Sequence, residues 1–210
     1  MQPAVFSMFR ALLLLVLFAA FACDVHAQWR AQLYAGVAGS SLRGNIEAER
    51  SPIYRLSGGA GLQYQTPSGV VFEPTARYTM KGTTLDGRID GIRVNAVEEI
   101  AYLEFPALIG YRWYGWGRFQ PKVLLGPVYS IRLDANITVR PASGGDGQTE
   151  ADNTIRDSDW GIALLVAGEQ TLGGETLVVG VSGTAGLTNV RTVEPPLRNV
   201  SVGLFVGIVF

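Results

Sequence analysis

The stretch NVSVGLFVGIVF, Asn199 to Phe210, carries an apolar side chain at every second position: Val200, Val202, Leu204, Val206, Ile208 and Phe210. The intervening positions include Asn199, Ser201, Gly203 and Gly207, and no charge interrupts the run. Successive side chains of a β-strand point to opposite faces, so a period of two marks a strand with one apolar face. Such a face packs either against a protein core or against lipid.

The same pattern appears seven more times upstream. Trp29, Ala31, Leu33, Ala35 and Val37 oppose Arg30, Gln32, Tyr34 and Ser40, and Tyr54, Leu56, Ala60, Leu62 and Tyr64 oppose Arg55, Ser57, Gln63 and Gln65. Phe72, Ala76, Tyr78 and Met80 face away from Glu73, Thr75, Arg77, Thr79 and Lys81. Leu103, Phe105, Ala107, Ile109, Tyr111 and Trp113 oppose Glu104 and Arg112, and Val123, Leu125, Tyr129, Ile131 and Leu133 oppose Gln120, Lys122, Ser130, Arg132, Asp134 and Asn136. Trp160, Ile162, Leu164 and Val166 set against Asp159 and Glu169, and Leu177, Val179 and Val181 against Thr176, Ser182 and Thr184, complete the set. Pro74, Pro106, Pro121 and Pro127 fall inside these strands, where each removes a ladder hydrogen bond; Pro74, Pro121 and Pro127 are expected at bulges or beyond the true strand limits.

The connections alternate in length. Short ones lie at Thr66 to Ser68, Tyr114 to Arg118 and Gly173-Gly174; long ones run from Ser40 to Ile53, Gly82 to Val97, Thr138 to Ser158 and Thr188 to Arg198. Eight strands with short turns at one end and long loops at the other predict an all-β fold, an eight-stranded antiparallel up-and-down barrel. The 210 residues are 48% hydrophobic and only 17% charged, with 26 glycines and a net charge of -1. That balance gives no electrostatic footprint for nucleic acid.

Alternation leaves two orientations open. A soluble, lipocalin-like barrel keeps its apolar face inside, whereas a transmembrane β-barrel turns it toward lipid. The aromatic residues favour lipid. Trp29, Tyr64, Phe72, Tyr111, Trp113, Trp116, Phe119 and Phe210 gather at the short-turn end, and Tyr54, Tyr78 and Trp160 near the long-loop end. Two aromatic girdles bounding an apolar band match the two interfaces of a membrane. Glycines on the polar face, among them Gly36, Gly59, Gly110 and Gly126, are expected to make room for long side chains in a narrow interior.

Residues 1–27 read as a signal peptide, with Arg10 closing a short basic region, ALLLLVLFAAFA as the apolar segment and Val25-His26-Ala27 as the cleavage site. Residues 28–210 then form the barrel domain. An alternative is lipidation at Cys23. Cleavage after Ala27 removes the single cysteine and the single histidine. The mature chain is then left without thiol or imidazole, which excludes Cys- or His-dependent catalysis and zinc sites built on those ligands.

With the apolar face toward lipid, the lumen receives Arg55, Glu73, Arg77, Lys81, Glu104, Arg112, Lys122, Arg132, Asp134 and Glu169. Charges confined in so small an interior are expected to pair. An eight-stranded barrel is just wide enough to be filled by its own side chains, which favours a plug over a pore; a narrow passive channel is the alternative. Glu98-Glu99 sits at a loop margin and reads as a solvated face. GGDGQT, Gly144 to Thr149, has Thr149 where a calcium nonapeptide needs aspartate, so no catalytic, cofactor or metal residue is assigned.

YLEFPALIGYRW (Tyr102 to Trp113), FQPKVLLGPVYSIRL from Phe119, DWGIALLVAGEQ from Asp159, GLTNV (Gly186 to Val190) and the terminal Phe210 together resemble the porin-like outer-membrane β-barrel family of Bacteroidota-type bacteria, often labelled PorT-like. The resemblance implies an eight-stranded barrel in the cell outer membrane with a periplasmic N-terminus. It also implies that Phe210 resembles the C-terminal signal read by the barrel-assembly machinery, and it implies no settled activity. The expected role is a non-enzymatic structural or surface protein whose long loops make contacts outside the cell.

Overall fold

The computed structural model describes residues 29–44, 49–89, 92–114, 117–141, 147–192 and 196–210. The expected leader, with Cys23 and His26, and the girdle residue Trp116 lie outside them. Every named element is a strand: β1 (Trp29–Arg43), β2 (Glu49–Gln65), β3 (Val70–Ile89), β4 (Ile92–Arg112), β5 (Phe119–Pro141), β6 (Gln148–Ala151), β7 (Ser158–Leu172), β8 (Glu175–Gly186) and β9 (Arg198–Val209). Neighbours pair antiparallel in the order β4-β3-β2-β1-β9-β8-β7-β5, and pairing of β4 with β5 closes the ring of eight. The first and last strands zip together from Gln32 opposite Val209 to Arg43 opposite Arg198. β6 adds a short ninth strand that hangs on the outer part of β5, outside the ring.

The phase of the strands is the one the alternation implies, except on β5 beyond Leu133. Leu56, Leu204 and Val202 stand 76%, 69% and 59% exposed, while Gln63, Glu104 and Asn199 on the opposite faces are at most 1% exposed. The apolar face is therefore outside, the reverse of a soluble barrel's arrangement. The interior is not uniformly polar: Val71, Leu108, Leu124, Val128 and Ala163 form one inward cluster, and Ala167, Val178 and Val209 another.

Two of the short turns depend on left-handed backbone. Gly69 (φ 96°) lets its N–H reach the Thr66 carbonyl at 3.0 Å, and Gly173 (φ 68°) allows Leu172 to pair directly with Glu175. The inward glycines serve closeness more than volume. A Cβ at Gly36 would lie 2.1 Å from the Leu204 carbonyl oxygen, and one at Gly110 1.9 Å from that of Val123. The tight coiling of a narrow barrel brings neighbouring backbones against these positions.

Two sequence expectations need correction. Parts of the long connections are strand, Gly82 to Ile89 and Ile92 to Val97 above all: β3, β4 and β5 run 20, 21 and 23 residues, and Ile89 pairs with Ile92. A membrane crossing needs only about 9–11 residues, so these strands continue well beyond the apolar band. Beyond it the outward face meets water instead of lipid, the alternation fades, and the pattern that reveals strands is lost. The prolines, in turn, do not mark bulges. Pro121 opposite Gly168 and Pro127 opposite Ile162 sit in unbroken register, and register shifts occur instead between Pro52 and Ser57 and between Ala101 and Tyr102.

Candidate functional site

Two ion-pair clusters fill the lumen. Nearer the short turns, Lys122 on β5 lies between Glu73 on β3 and Glu169 on β7, with its Nζ 2.7 Å from Glu169 Oε1 and also paired with Glu73. Gln63 Nε2 donates to the same two carboxylates, at 2.8 Å to Glu73 and 2.6 Å to Glu169. Arg112 pairs with the other oxygen of Glu169, and Arg30 approaches it at 3.8 Å. Arg112 and Lys122 are direct cross-strand partners. Like charges so placed repel, and the two carboxylates reaching across the barrel offset the repulsion.

Further up, Glu104 on β4 accepts from Arg77 at 2.5 Å and from Lys81 at 2.6 Å, both on β3, and from Ser130 Oγ at 3.1 Å. Arg77 is the register partner of Glu104, so this pair is written into the β3–β4 ladder. Lys81 also donates to Thr184 Oγ1 at 3.1 Å, which ties β3 to β8 across the interior. A cavity of about 40 Å³, lined in part by Gln32, Tyr34, Glu73, Arg77, Lys122 and Phe205, lies in the lumen, and the Nε2 of Gln32 has no protein partner. Such a volume suits a few water molecules.

A cap covers the long-loop end. Ile155, Val190 and Leu197 pack on Leu42 of β1, Ile100 and Tyr102 of β4 and Ala135 of β5, so the cluster spans the barrel mouth from wall to wall. The connection before β7 and the one before β9 are laced together: Arg156 N–H donates to the Val190 carbonyl and Thr192 N–H to that of Thr154, both at 2.8 Å. In the Gly186 to Val190 stretch, Leu187 N–H donates to the Trp160 carbonyl at 2.7 Å, which pins the cap to β7. Beneath it, Arg191 reaches down to Glu98 at 2.7 Å, and Tyr102 Oη accepts from Asn199 Nδ2 at 3.1 Å. Glu98 lies five residues beyond Leu103, the partner of Tyr78 in the upper girdle, and is therefore outside the apolar band. Burial pushes its carboxyl up from the ordinary value, against the pull of Arg191.

Of the ten residues expected in the lumen, Glu73, Arg77, Lys81, Glu104, Arg112, Lys122 and Glu169 join the two clusters. Three do not. Arg55 pairs with Glu99 (Nε to Oε1, 2.7 Å) and remains partly exposed near the long-loop end. Arg132 turns to the exposed Asp157 at 2.5 Å. Asp134 is exposed, accepting from the Ala135 N–H at 3.0 Å and from Asn136 Nδ2 at 2.7 Å. The cause is the register shift that leaves Leu133 as an extra residue on β5; past it the phase inverts and Ala135 takes the inward place. Glu98, expected on a solvated face, is fully buried. The sequence reading missed its partner Arg191, because a cross-mouth contact between a loop and a strand leaves no local pattern.

Side chains of the expected aromatic girdles meet in three pairs. Trp29 lies tilted against Tyr64 (ring centroids 4.9 Å) and Tyr129 against Trp160 (4.8 Å), while Tyr111 meets Trp113 edge to face (5.2 Å). Trp29, Tyr54, Tyr78, Tyr111, Trp113, Phe119, Trp160 and Phe210 are all exposed. Tyr54 also lies over Gly39, where an added Cβ would come within 2.8 Å of its ring, so the glycine seats the aromatic against β1. The Phe210 N–H closes the seam by donating to the Ala31 carbonyl at 2.9 Å.

A closed eight-stranded sheet that is apolar outside, ion-paired inside and ringed by aromatics defines a transmembrane β-barrel. The chain belongs to the outer membrane protein beta-barrel domain family, whose model matches residues 21–191. It is thus an outer-membrane β-barrel protein. Among solved structures it is similar to Ail, the attachment invasion locus protein of Yersinia pestis (10% identity, 87% of this chain and 99% of that one, TM-score 0.44). It is also similar to Neisserial surface protein A (14%, 88% and 98%, TM-score 0.44) and to OprG from Pseudomonas aeruginosa (15%, 86% and 95%, TM-score 0.48). A comparison with curated proteins finds no match.

Proposed function

We propose that the protein is a non-enzymatic surface barrel with a sealed lumen, anchored in outer-membrane lipid, whose long-loop end faces outside the cell and makes its contacts. In this reading residues 1–27 are removed on export, the chain falls within the PorT-like group, and Phe210 is the aromatic engaged by the barrel-assembly machinery. The observation that carries the reading is the double closure of the interior. Two charge clusters cross the lumen and an apolar cap spans its mouth. Breaking either cluster strands a buried charge at about 3–5 kcal/mol, so the clusters hold the interior shut.

Planar-bilayer recording tests this. Purified protein is expected to give no steady conductance at any applied voltage. Conductance in the wild type that disappears with Arg112→Gln would instead establish the narrow channel.

A further inference from the structure

From the β1–β9 seam we infer a second feature, a binding site for an anionic phosphate headgroup of the outer leaflet, formed by Arg43 and Arg198. The two arginines are direct cross-strand partners. The pair just inward of them, Leu42 and Asn199, is buried at 0% and 1% exposure, so alternation turns both guanidinium-bearing side chains outward, and both residues are exposed. Like charges placed directly opposite destabilise a sheet. Among the described side chains no acidic partner of either arginine is found.

Their depth selects the ligand. Below them on the same outward face run Val200, Val202 and Leu204 on β9 and Val37 on β1. The Tyr54 ring lies against Gly39, four residues below Arg43 on β1. From Trp29 in the lower girdle, the 15 residues of β1 climb to Arg43. At roughly 3.3 Å per residue and a tilt of about 40° that is on the order of 35 Å, beyond an apolar band about 25 Å tall. The pair thus stands at headgroup level with its aliphatic stems along the lipid. Two guanidinium forks side by side match the several acceptor oxygens of one phosphate, and a bound phosphate removes the repulsion that the register imposes.

The assignment to the outer leaflet rests on the orientation proposed above. Symmetric vesicles offer headgroups to the pair whichever way the barrel inserts, and protease accessibility of the loops on whole cells reads orientation separately. The test compares urea unfolding in phosphatidylcholine vesicles alone, with phosphatidic acid, and with oleic acid as an anionic lipid lacking phosphate. Wild type and the Arg43→Gln/Arg198→Gln double variant are compared, with folding of each confirmed by heat-modifiable gel mobility.

Phosphatidic acid is expected to favour the folded wild type by about 30-fold in the unfolding equilibrium, roughly fivefold per arginine. The double variant should lose that gain, and oleic acid should give a smaller shift that the variant largely keeps. Three results would overturn the site: an equal phosphatidic acid effect in both proteins, the same stabilisation from free inorganic phosphate, or a variant equally weakened in every vesicle, which would reveal an intramolecular acidic partner.

Discussion

At the scale of single residues, the barrel separates its side chains by environment, and substitutions should report which side each one meets. Leu204 faces lipid near the middle of β9 and pairs with Val37 and Val181. Leu204→Arg is expected to cost about 2–4 kcal/mol in urea unfolding from bilayers. Glu104→Gln should cost about 3–5 kcal/mol by the same measurement, because Lys81 and Arg77 would be left buried beside a neutral group. Glu98 supplies a pH signature. Its folded-state pKa lies above the ordinary value of 4.5, so its favourable contribution is fully present below that value and is lost as pH rises through the folded pKa. Glu98→Gln should flatten that part of the stability profile, read as urea midpoints across pH.

The residues of the lumen were legible where the period of two was unbroken. The seven clustered charges are those on strand segments with uninterrupted alternation. Asp134 falls on the outer face because the extra residue Leu133 inverts the phase, and a one-residue bulge carries no composition of its own, whereas Arg132 keeps its register and is drawn to Asp157 of the connection before β7. Gln63 was read on the correct face, but its bridging of Glu73 and Glu169 depends on barrel closure, which brings β2 and β7 within reach of one another.

Elements show the same division between what local sequence encodes and what closure adds. The eight ring strands follow from alternation, and the short turns from Gly69, Gly117 and Gly173, all with positive φ. The outer halves of β3, β4 and β5, and all of β6, follow from hydrogen bonding to a neighbour already in place. The cap is the extreme case: Ile155, Val190 and Leu197 are isolated apolar residues in polar connections, and only the barrel mouth brings them together. Ile155→Ala is expected to cost about 2–4 kcal/mol and to speed cleavage of the connections before β7 and β9 under limited proteolysis. Wild-type cleavage rates in the variant would mean that the cap is held by its backbone lacing alone.

For the whole molecule, the outward apolar face requires lipid or detergent. After alkaline carbonate extraction of membranes the protein is expected to stay in the pellet; its appearance in the supernatant would contradict the exposed band of Leu56, Leu204 and Val202. The ring is also uneven in height. β3, β4 and β5 run 20–23 residues, whereas β8 and β9 have 12 each. With the long-loop end outward, a large particle such as an antibody or a phage tail meets the outer ends of β3, β4 and β5 first, while the β8–β9 side stays in their lee. Sequence change at those ends would leave the paired barrel below untouched, so the molecule can change its face without refolding its body.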